Sequence, residues 1–356
     1  MTLPRLLLVL FLACSALAQN DVLIADHVSP IEAAAAGHSS MLAVFTTRGK
    51  LSPCTCGEID AVRVGFDGNR IGAPFAIATS FSAQTQPAVA FDGTRFLVVW
   101  NELAVPPLFG EEPSRVIGAF VSEDGTPSTS FAIAAANVVR PVIVWDGTQY
   151  FIFYTDLDGH AMGVVVTNQG VARTPFVIGD EEQVTGAAVG GSQVAIVSSR
   201  GNRLQAQILG GAAQELASSD AYQGRIAWNG RTFLAAWLTS DAIYARRLDE
   251  REPHVVATAS AGALQLISSG SIFFAAWEGN VMSGVWIGAE PFGVLPDLES
   301  RHYPLTLDPH DPVPVDVPGD TIALFHTTHF FLSQFTNFIN DYVSFVKPGR
   351  QHATRR

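Results

Sequence analysis

Charge, cysteine and long apolar segments are all scarce in this sequence. Asp, Glu, Lys and Arg together make up 15% of its 356 residues, and three residues are cysteine. The low charged fraction excludes a coiled coil or a highly charged disordered chain, and three cysteines cannot hold a disulfide-rich scaffold together. The fold must therefore depend on a hydrophobic core, and 48% of the residues are hydrophobic.

Basic residues are the scarcer of the two charge types. Lys50 and Lys347 are the only lysines, and 21 Lys and Arg residues stand against 33 Asp and Glu residues, which gives a net formal charge of −12. An acidic surface disfavours nucleic acid and anionic membranes as partners. Segment 347–356 is the exception, since it holds four basic and no acidic residues, and we interpret it as a basic tail.

The N-terminal segment has the pattern of a secretory signal peptide. Arg5 precedes an apolar run over 6–13, and Ala16, Leu17 and Ala18 form a small-residue cleavage site. We therefore expect a signal peptide over 1–18, cleaved after Ala18, and a secreted or periplasmic protein. The alternative is a lipoprotein signal that uses Cys14. The run is shorter than the roughly 20 residues needed to cross a bilayer, so no membrane span is expected.

A repeated segment organises the rest of the chain. PAVAFDGTRFLVVW at 87–100 recurs at 141–154, 225–237 and 264–277, with weaker copies at 33–45 and 186–198. Most copies consist of two apolar runs around a Gly-containing pair such as Asp92-Gly93 or Asn229-Gly230. These pairs favour the tight turns that join antiparallel strands, so each copy predicts a β-hairpin.

Two further short apolar runs follow each hairpin, so the unit has four antiparallel strands. Such a unit recurring every roughly 40 to 55 residues is typical of a β-propeller blade. The second strand is apolar at successive positions, as in 96–100, which predicts a sheet buried on both faces. Trp100, Trp237 and Trp277 end such strands and are expected in the core between blades. A β-sandwich or β-helix built from the same hairpins is the alternative.

We predict an all-β fold, a β-propeller over 19–346, with seven blades and the N-terminal strand closing the last blade. The inner strands of this last blade are expected at 313–317 and 321–325, with a third strand near 330–335. Segment 341–346 could supply the fourth strand in place of the N-terminal strand, and six blades is the alternative count. The predicted blades are 31–78, 85–134, 138–179, 184–217, 222–257, 262–295, and 303–346 together with 20–26.

The hairpin VAFDGTRFLVVW and the short strand PFAIA at 74–78 resemble the repeats of uncharacterised exported bacterial β-propeller proteins. The resemblance covers residues 20 to about 295. It implies the fold and export, and it implies no activity, because propellers host many unrelated functions.

Loop length points to a candidate binding surface. The second-to-third loops of the first two blades, 46–57 and 101–114, and the connection 290–312 into the last blade are long. In a closed propeller they lie on one face and cluster, and binding usually resides in such loops. The candidate ligand-binding residues are Arg48, Lys50, Glu102, Glu111, Glu112, Arg115, His326 and His329. We expect a monomeric, non-enzymatic protein that binds an extracellular or envelope protein or glycan.

Few residues suggest other chemistry. Cys54 and Cys56 predict a short-range disulfide in an oxidising compartment, with thiol or metal chemistry and unpaired thiols as alternatives. His326 and His329, three residues apart on a strand, point to opposite faces, so no metal site and no cofactor are expected. The Asp156 to Gly159 segment lacks most ligands of a calcium loop and is interpreted as a solvated turn.

The alternative function is an extracellular polysaccharide hydrolase or lyase. Glycoside hydrolysis requires two carboxyl groups about 5 to 10 Å apart, and Glu102, Glu111 or Glu112 could pair with another carboxylate for this reaction. No motif in the sequence assigns them this role.

Overall fold

The computed structural model describes residues 22–27, 30–48, 57–80, 82–103, 113–137, 139–179, 183–278, 282–289, 292–294, 313–318, 321–333 and 336–346. Every regular element in these residues is a β-strand, and the strands form seven four-stranded antiparallel sheets. The same residues contain no helix able to cross a membrane. The predicted all-β fold of four-stranded antiparallel units is therefore confirmed.

The sheets are named blades 1 to 7, and their strands follow chain order except that the first strand belongs to blade 7. The strands are β1 Val22–His27 in blade 7; β2 Ala33–Ala36, β3 Ser40–Arg48, β4 Gly57–Gly65 and β5 Arg70–Ala78 in blade 1; β6 Gln84–Phe91, β7 Arg95–Glu102, β8 Arg115–Ser122 and β9 Phe131–Ala135 in blade 2; β10 Val142–Trp145, β11 Gln149–Thr155, β12 Ala161–Thr167 and β13 Phe176–Gly179 in blade 3; β14 Gln183–Gly190, β15 Gln193–Arg200, β16 Arg203–Ile208 and β17 Gln214–Ala217 in blade 4; β18 Tyr222–Trp228, β19 Phe233–Leu238, β20 Ala242–Arg247 and β21 His254–Thr258 in blade 5; β22 Ala263–Ser269, β23 Ile272–Glu278, β24 Met282–Ala289 and β25 Phe292–Val294 in blade 6; and β26 Val313–Val317, β27 Thr321–Ser333 and β28 Thr336–Val346 in blade 7.

Where their side chains are described, the blades bury both of their faces against neighbouring blades, as the unbroken apolar runs predict. In β7, Val98 and Trp100 pack with blade 1, whereas Leu97 and Val99 pack with blade 3. Alternate residues of a strand point to opposite faces, so an apolar residue at every position fills two interfaces at once.

The three aromatic residues predicted for the core are buried. The three residues Trp100, Trp237 and Trp277 lie one or two residues before the ends of β7, β19 and β23, and each is at most 7% exposed. The prediction that they pack between blades is confirmed.

The innermost strands form a closed ring. Each of β2, β6, β10, β14, β18 and β22 contacts the innermost strand of the next blade, and β26 contacts both β22 and β2. The N-terminal strand β1 pairs with β28, with Val22 opposite Val343, so blade 7 combines both ends of the described chain. Pairing of this kind leaves no gap in the ring.

The third strand of blade 7 lies elsewhere than predicted. Residues 330–333 belong to the long second strand β27, and the third strand is β28, which lies between β27 and β1. The predicted third strand near 330–335 is wrong, because β27 and β28 pair from Ile322 and Val346 as far as Ser333 and Thr336 and make one long hairpin.

Side chains at the first-to-second turns cap the hairpins. Asp146 Oδ1 accepts hydrogen bonds from the backbone N–H groups of Thr148 and Gln149, both at 2.8 Å. Gly147 has φ of 97°, which favours glycine. Asn229 makes the equivalent bonds in blade 5, so the turns predicted from Asp-Gly and Asn-Gly are confirmed.

The Asp146 turn should make stability depend on pH. Burial opposes ionisation of Asp146, but hydrogen bonds from Gln149 and Thr148 outweigh it and lower the pKa of this carboxyl group. A pKa lowered by folding contributes stability above the unfolded-state pKa, and that stability is lost as the pH falls through the folded-state pKa. Asp146→Asn should keep the turn, as Asn229 does in blade 5, and remove this contribution. The urea midpoint of the variant should fall less than that of the wild type between about pH 6 and about pH 3; equal decreases would contradict the assignment.

Replacing a core aromatic residue should be costly. Trp100 is fully buried, so Trp100→Ala removes its packing against blade 1 and leaves a cavity. We expect a loss of about 3–5 kcal/mol in the free energy of unfolding, measured by urea denaturation. Val177→Ala is the control, because Val177 is 61% exposed on β13 and its loss should stay within about 0.5 kcal/mol. Similar losses in the two variants would be incompatible with the packing described.

Candidate functional site

The two ends of the ring differ in how they are built. The turns that join the first strand of a blade to the second, and the third to the fourth, lie at one end of the ring. Hydrogen bonds at this end join neighbouring blades: Glu123 in blade 2 accepts hydrogen bonds from the backbone N–H groups of His38 and Ser39 in blade 1. The second-to-third loops and the connections between blades lie at the other end, which we call the loop face. The loop face is the candidate functional surface, because its loops vary in length.

Several predicted site residues lie outside the described residues. They are Lys50, Cys54, Cys56, Glu111 and Glu112. Arg48 is the last residue of β3, and His326 and His329 lie within β27, where Tyr342 and Ile339 of β28 stand opposite them. The predicted cluster of long loops stays a prediction.

Two of the predicted residues form an ion pair at the loop-face end of blade 2. Glu102 ends β7 and stands directly opposite Arg115, the first residue of β8. Glu102 Oε1 accepts hydrogen bonds from Arg115 Nη2 at 2.7 Å and Nε at 3.1 Å. Its other carboxylate oxygen lies 3.5 Å from Gln84 Nε2. Glu102 is 8% exposed, so this carboxylate is buried and held by a cation at the base of the 103–114 loop.

Polar side chains also meet where β6 begins. Asn101 Nδ2 donates to Gln86 Oε1 at 3.0 Å and to the Val139 carbonyl at 2.8 Å, which links blade 2 to the segment that enters blade 3. Gln86 has φ of 57°, an unfavourable conformation for a residue with a side chain. It lies within a β-bulge between Thr85 and Ala88. Bulges of this type change the direction in which side chains point.

A central cavity of about 260 Å³ opens between the innermost strands. Residues from or next to all seven innermost strands line it. Most are small or apolar, and the polar ones are Glu32, Arg140, Thr185, Arg225 and Gln265. The cavity therefore combines a largely apolar wall with a few charged and hydrogen-bonding groups, as small-molecule sites commonly do.

An ion pair at this cavity joins the segments that enter blades 1 and 3, which are not adjacent in the ring. Arg140 Nη2 lies 3.3 Å from Glu32 Oε2, and Arg140 Nη1 lies 3.3 Å from the Glu32 carbonyl oxygen. Thr46 at the loop-face end of β3 donates its backbone N–H and hydroxyl to Glu32 Oε1, at 3.1 and 2.6 Å. The contacts with Thr46 place Glu32 and Arg140 at the loop-face mouth of the cavity.

Sequence reasoning missed the residues of the cavity, although one signal was present. Strand register places Arg225 opposite Ala236 and Gln265 opposite Ala276. The equivalent position in blade 2 is Ala88, and in blade 3 it is Val142. A charged or amide side chain at a repeat position that is otherwise small or apolar could have identified the cavity.

The Asp156 segment forms a hydrogen-bonded turn. Asp156 Oδ1 accepts backbone N–H groups from Asp158 at 3.0 Å and His160 at 2.8 Å, and the His160 ring Nδ1 lies 3.1 Å from Asp156 Oδ2. Side-chain oxygens or nitrogens of the three residues lie within 4.8 Å of one another. The hydrogen bonds account for the arrangement as the turn between β11 and β12.

No family model and no curated protein matches the sequence, whereas many solved structures share the fold. The β-propeller domain of the Trilobed protease from Pyrococcus furiosus is 10% identical with a TM-score of 0.54, covering 84% of this chain and 92% of that one. That domain has an open velcro topology, whereas β1 here pairs with β28.

Two larger enzymes also match. Acylaminoacyl peptidase from Pyrococcus horikoshii is 10% identical to this chain, with a TM-score of 0.51. The match covers 84% of this chain and about half (49%) of the length of the peptidase. A variant of NanB sialidase from Streptococcus pneumoniae is 8% identical with a TM-score of 0.53, covering 92% of this chain and 70% of that one. Identities this low show the β-propeller fold alone.

Removing the Glu102 charge should destabilise blade 2. The Glu102→Gln substitution places a neutral amide opposite Arg115, so the guanidinium group of Arg115 loses its ion pair with Glu102. We expect a loss of about 1–2 kcal/mol in urea unfolding, less than for a fully buried pair because Arg115 is 39% exposed. Glu215→Gln removes the same charge from an exposed position on β17 and should cost at most about 0.5 kcal/mol. Equal losses would show that the pair does not stabilise the blade.

Proposed function

We propose that this chain is an exported binding protein that recognises an extracellular or envelope protein or glycan through the loop face. The observation that carries the proposal is the convergence of polar side chains at the mouth of the central cavity, on the face where the second strands of blades 1 and 2 end. A rigid ring that presents variable loops around a cavity is suited to recognition.

The carboxylates described at this face support binding over hydrolysis. Glu102 is held by Arg115, and Glu32 is held by Arg140 and Thr46. A glycosidase requires one carboxyl group that donates a proton and a second that acts as base or nucleophile. Carboxylates engaged with arginines are suited to fixing the shape of the face, which is the role we assign to them.

The likeness to peptidase and sialidase propellers leaves the activity open, since it extends to the fold alone. Polysaccharide hydrolysis or lysis is the alternative. In that case Glu102, Glu111 and Glu112 would be the candidate catalytic carboxylates, and the experiment below includes a measurement of polysaccharide digestion.

The test compares the wild type with a variant whose segments 49–56 and 104–112 are both replaced by short Gly-Ser linkers. Purified proteins would be applied to a glycan array and to envelope extract, with bound proteins identified by mass spectrometry. We expect the wild type to retain a specific glycan or protein, and the variant to lose it while keeping the thermal unfolding midpoint of the folded ring.

The control carries Thr129→Ala and Gln169→Ala, two exposed positions in the turns of the opposite face. It should bind as the wild type does. Equal binding by the loop variant would refute recognition through these loops. Digestion of a polysaccharide by the wild type that is lost in Glu102→Gln, Glu111→Gln or Glu112→Gln would establish the alternative instead.

A further inference from the structure

Two arginines line a pair of adjoining cavities at the loop-face mouth of the ring. Arg140 and Arg225 both line the central cavity, and both also line a second cavity of about 290 Å³ beside blades 3, 4 and 5. The two guanidinium groups come from segments 85 residues apart in sequence, and the ring brings them to the same opening. The two cavities therefore share a cationic boundary.

The guanidinium group of Arg225 is held by hydrogen bonds to neutral oxygens. Its Nη1 donates to the carbonyl oxygens of Thr185 at 2.9 Å and Gly224 at 3.1 Å, and its Nε donates to Gln265 Oε1 at 3.2 Å. These contacts tie blade 5 to blades 4 and 6. They also fix the direction of the side chain, which reduces the entropy lost when a ligand binds.

The backbone around Arg225 is shaped to hold this position. A β-bulge lies between Tyr222 and Arg225, and Gln223 within it has φ of 50°. The Gln223 side chain accepts the backbone N–H of Leu264 at 2.9 Å, which joins the bulge to blade 6. Gly186 in blade 4 approaches closely, since a Cβ there would lie 3.1 Å from Arg225 Cα. Strained residues and bulges of this kind concentrate at functional sites.

The described lining of the second cavity has a charge opposite in sign to that of the whole chain. Among the residues that the structure describes, its lining contains Arg140 and Arg225, together with hydrogen-bonding side chains such as Gln183, Ser199 and Tyr222, and no acidic residue. Glu32 adds one negative charge at the central cavity. The described lining of the two cavities thus carries two positive charges against one negative charge in a chain with net charge −12, and a positive lining attracts anions from solution.

We propose that this opening binds the anionic group of a small molecule, a carboxylate or a phosphate, through Arg140 and Arg225. Planar guanidinium groups donate paired hydrogen bonds that match the oxygens of both groups. Each cavity lies near the lower end of the range for ligand sites, about 300 Å³, which suits a single small molecule or one terminal unit of a polymer. The site deepens the proposed binding function but requires no residue of the long loops.

Glucose and two of its acidic derivatives test the proposal by isothermal titration calorimetry. Glucuronate carries a carboxylate, glucose 6-phosphate carries a phosphate, and glucose is uncharged. We expect at least one acid to bind, more weakly as NaCl is raised, and glucose not to bind. The acid that binds identifies which anionic group the site takes. The variant with shortened loops should bind the same acid as the wild type, so this test can succeed or fail independently of the loop experiment.

Substitutions locate the site. Arg225→Gln should weaken binding by about tenfold or more, and Arg225→Lys should bind with intermediate affinity because it keeps the charge but loses the planar fork. Arg173→Gln is the matched control, since it removes the same charge from an exposed position in the loop before β13. Glu32→Gln should strengthen binding, because it removes a carboxylate that competes for Arg140.

A second readout uses the wild type alone, in case Arg225→Gln does not fold. Phenylglyoxal modifies arginines, and mass spectrometry of the digested protein reports each position. The bound acid should protect Arg140 and Arg225 and leave Arg173 reactive. The proposal is overturned if neither acid binds, if glucose binds equally well, if Arg225→Gln binds like the wild type, or if the acid leaves Arg225 unprotected.

Discussion

Burial of both faces of every blade is the constraint on which this structure depends. A sheet whose strands are apolar at successive positions cannot face water on either side, so each blade requires a neighbour on both sides. Blades 1 and 2 meet through Leu42, Val44, Phe96 and Val98, and blades 7 and 1 meet through residues that include Val315. An open row would leave two terminal blades exposed, and a closed ring leaves none.

Closure has consequences for both the chain ends and the axis. The N-terminal strand β1 completes blade 7 by pairing with β28, so the ring cannot open without breaking a sheet. The innermost strands converge on the axis, where a cavity remains between them. Polar side chains placed there are held by contacts between blades, as Arg225 is by Thr185 and Gln265. The scaffold and the candidate anion site are thus built from the same contacts.

Much of the fold could be predicted because the information is local and repeated. Asp146 and Asn229 shape their own turns through backbone groups two and three residues away, which sequence patterns capture well. Blade 7 was harder, because its second and third strands are long and its repeat is weak. The candidate site could be predicted only in part. Glu102 and Arg115 were identified from loop position, but their ion pair required the register of β7 and β8.

The sequence by itself determined the repeated four-strand unit, its turns and the need to bury two faces, because each depends on residues close together in the chain. Only the tertiary structure decided which side chains meet at the axis. Glu32 and Arg140 are 108 residues apart and belong to blades that are not adjacent, and their contact exists because ring closure brings the starts of the innermost strands together. Arg225 likewise acquires two of its hydrogen-bond partners, Thr185 and Gln265, from blades 4 and 6.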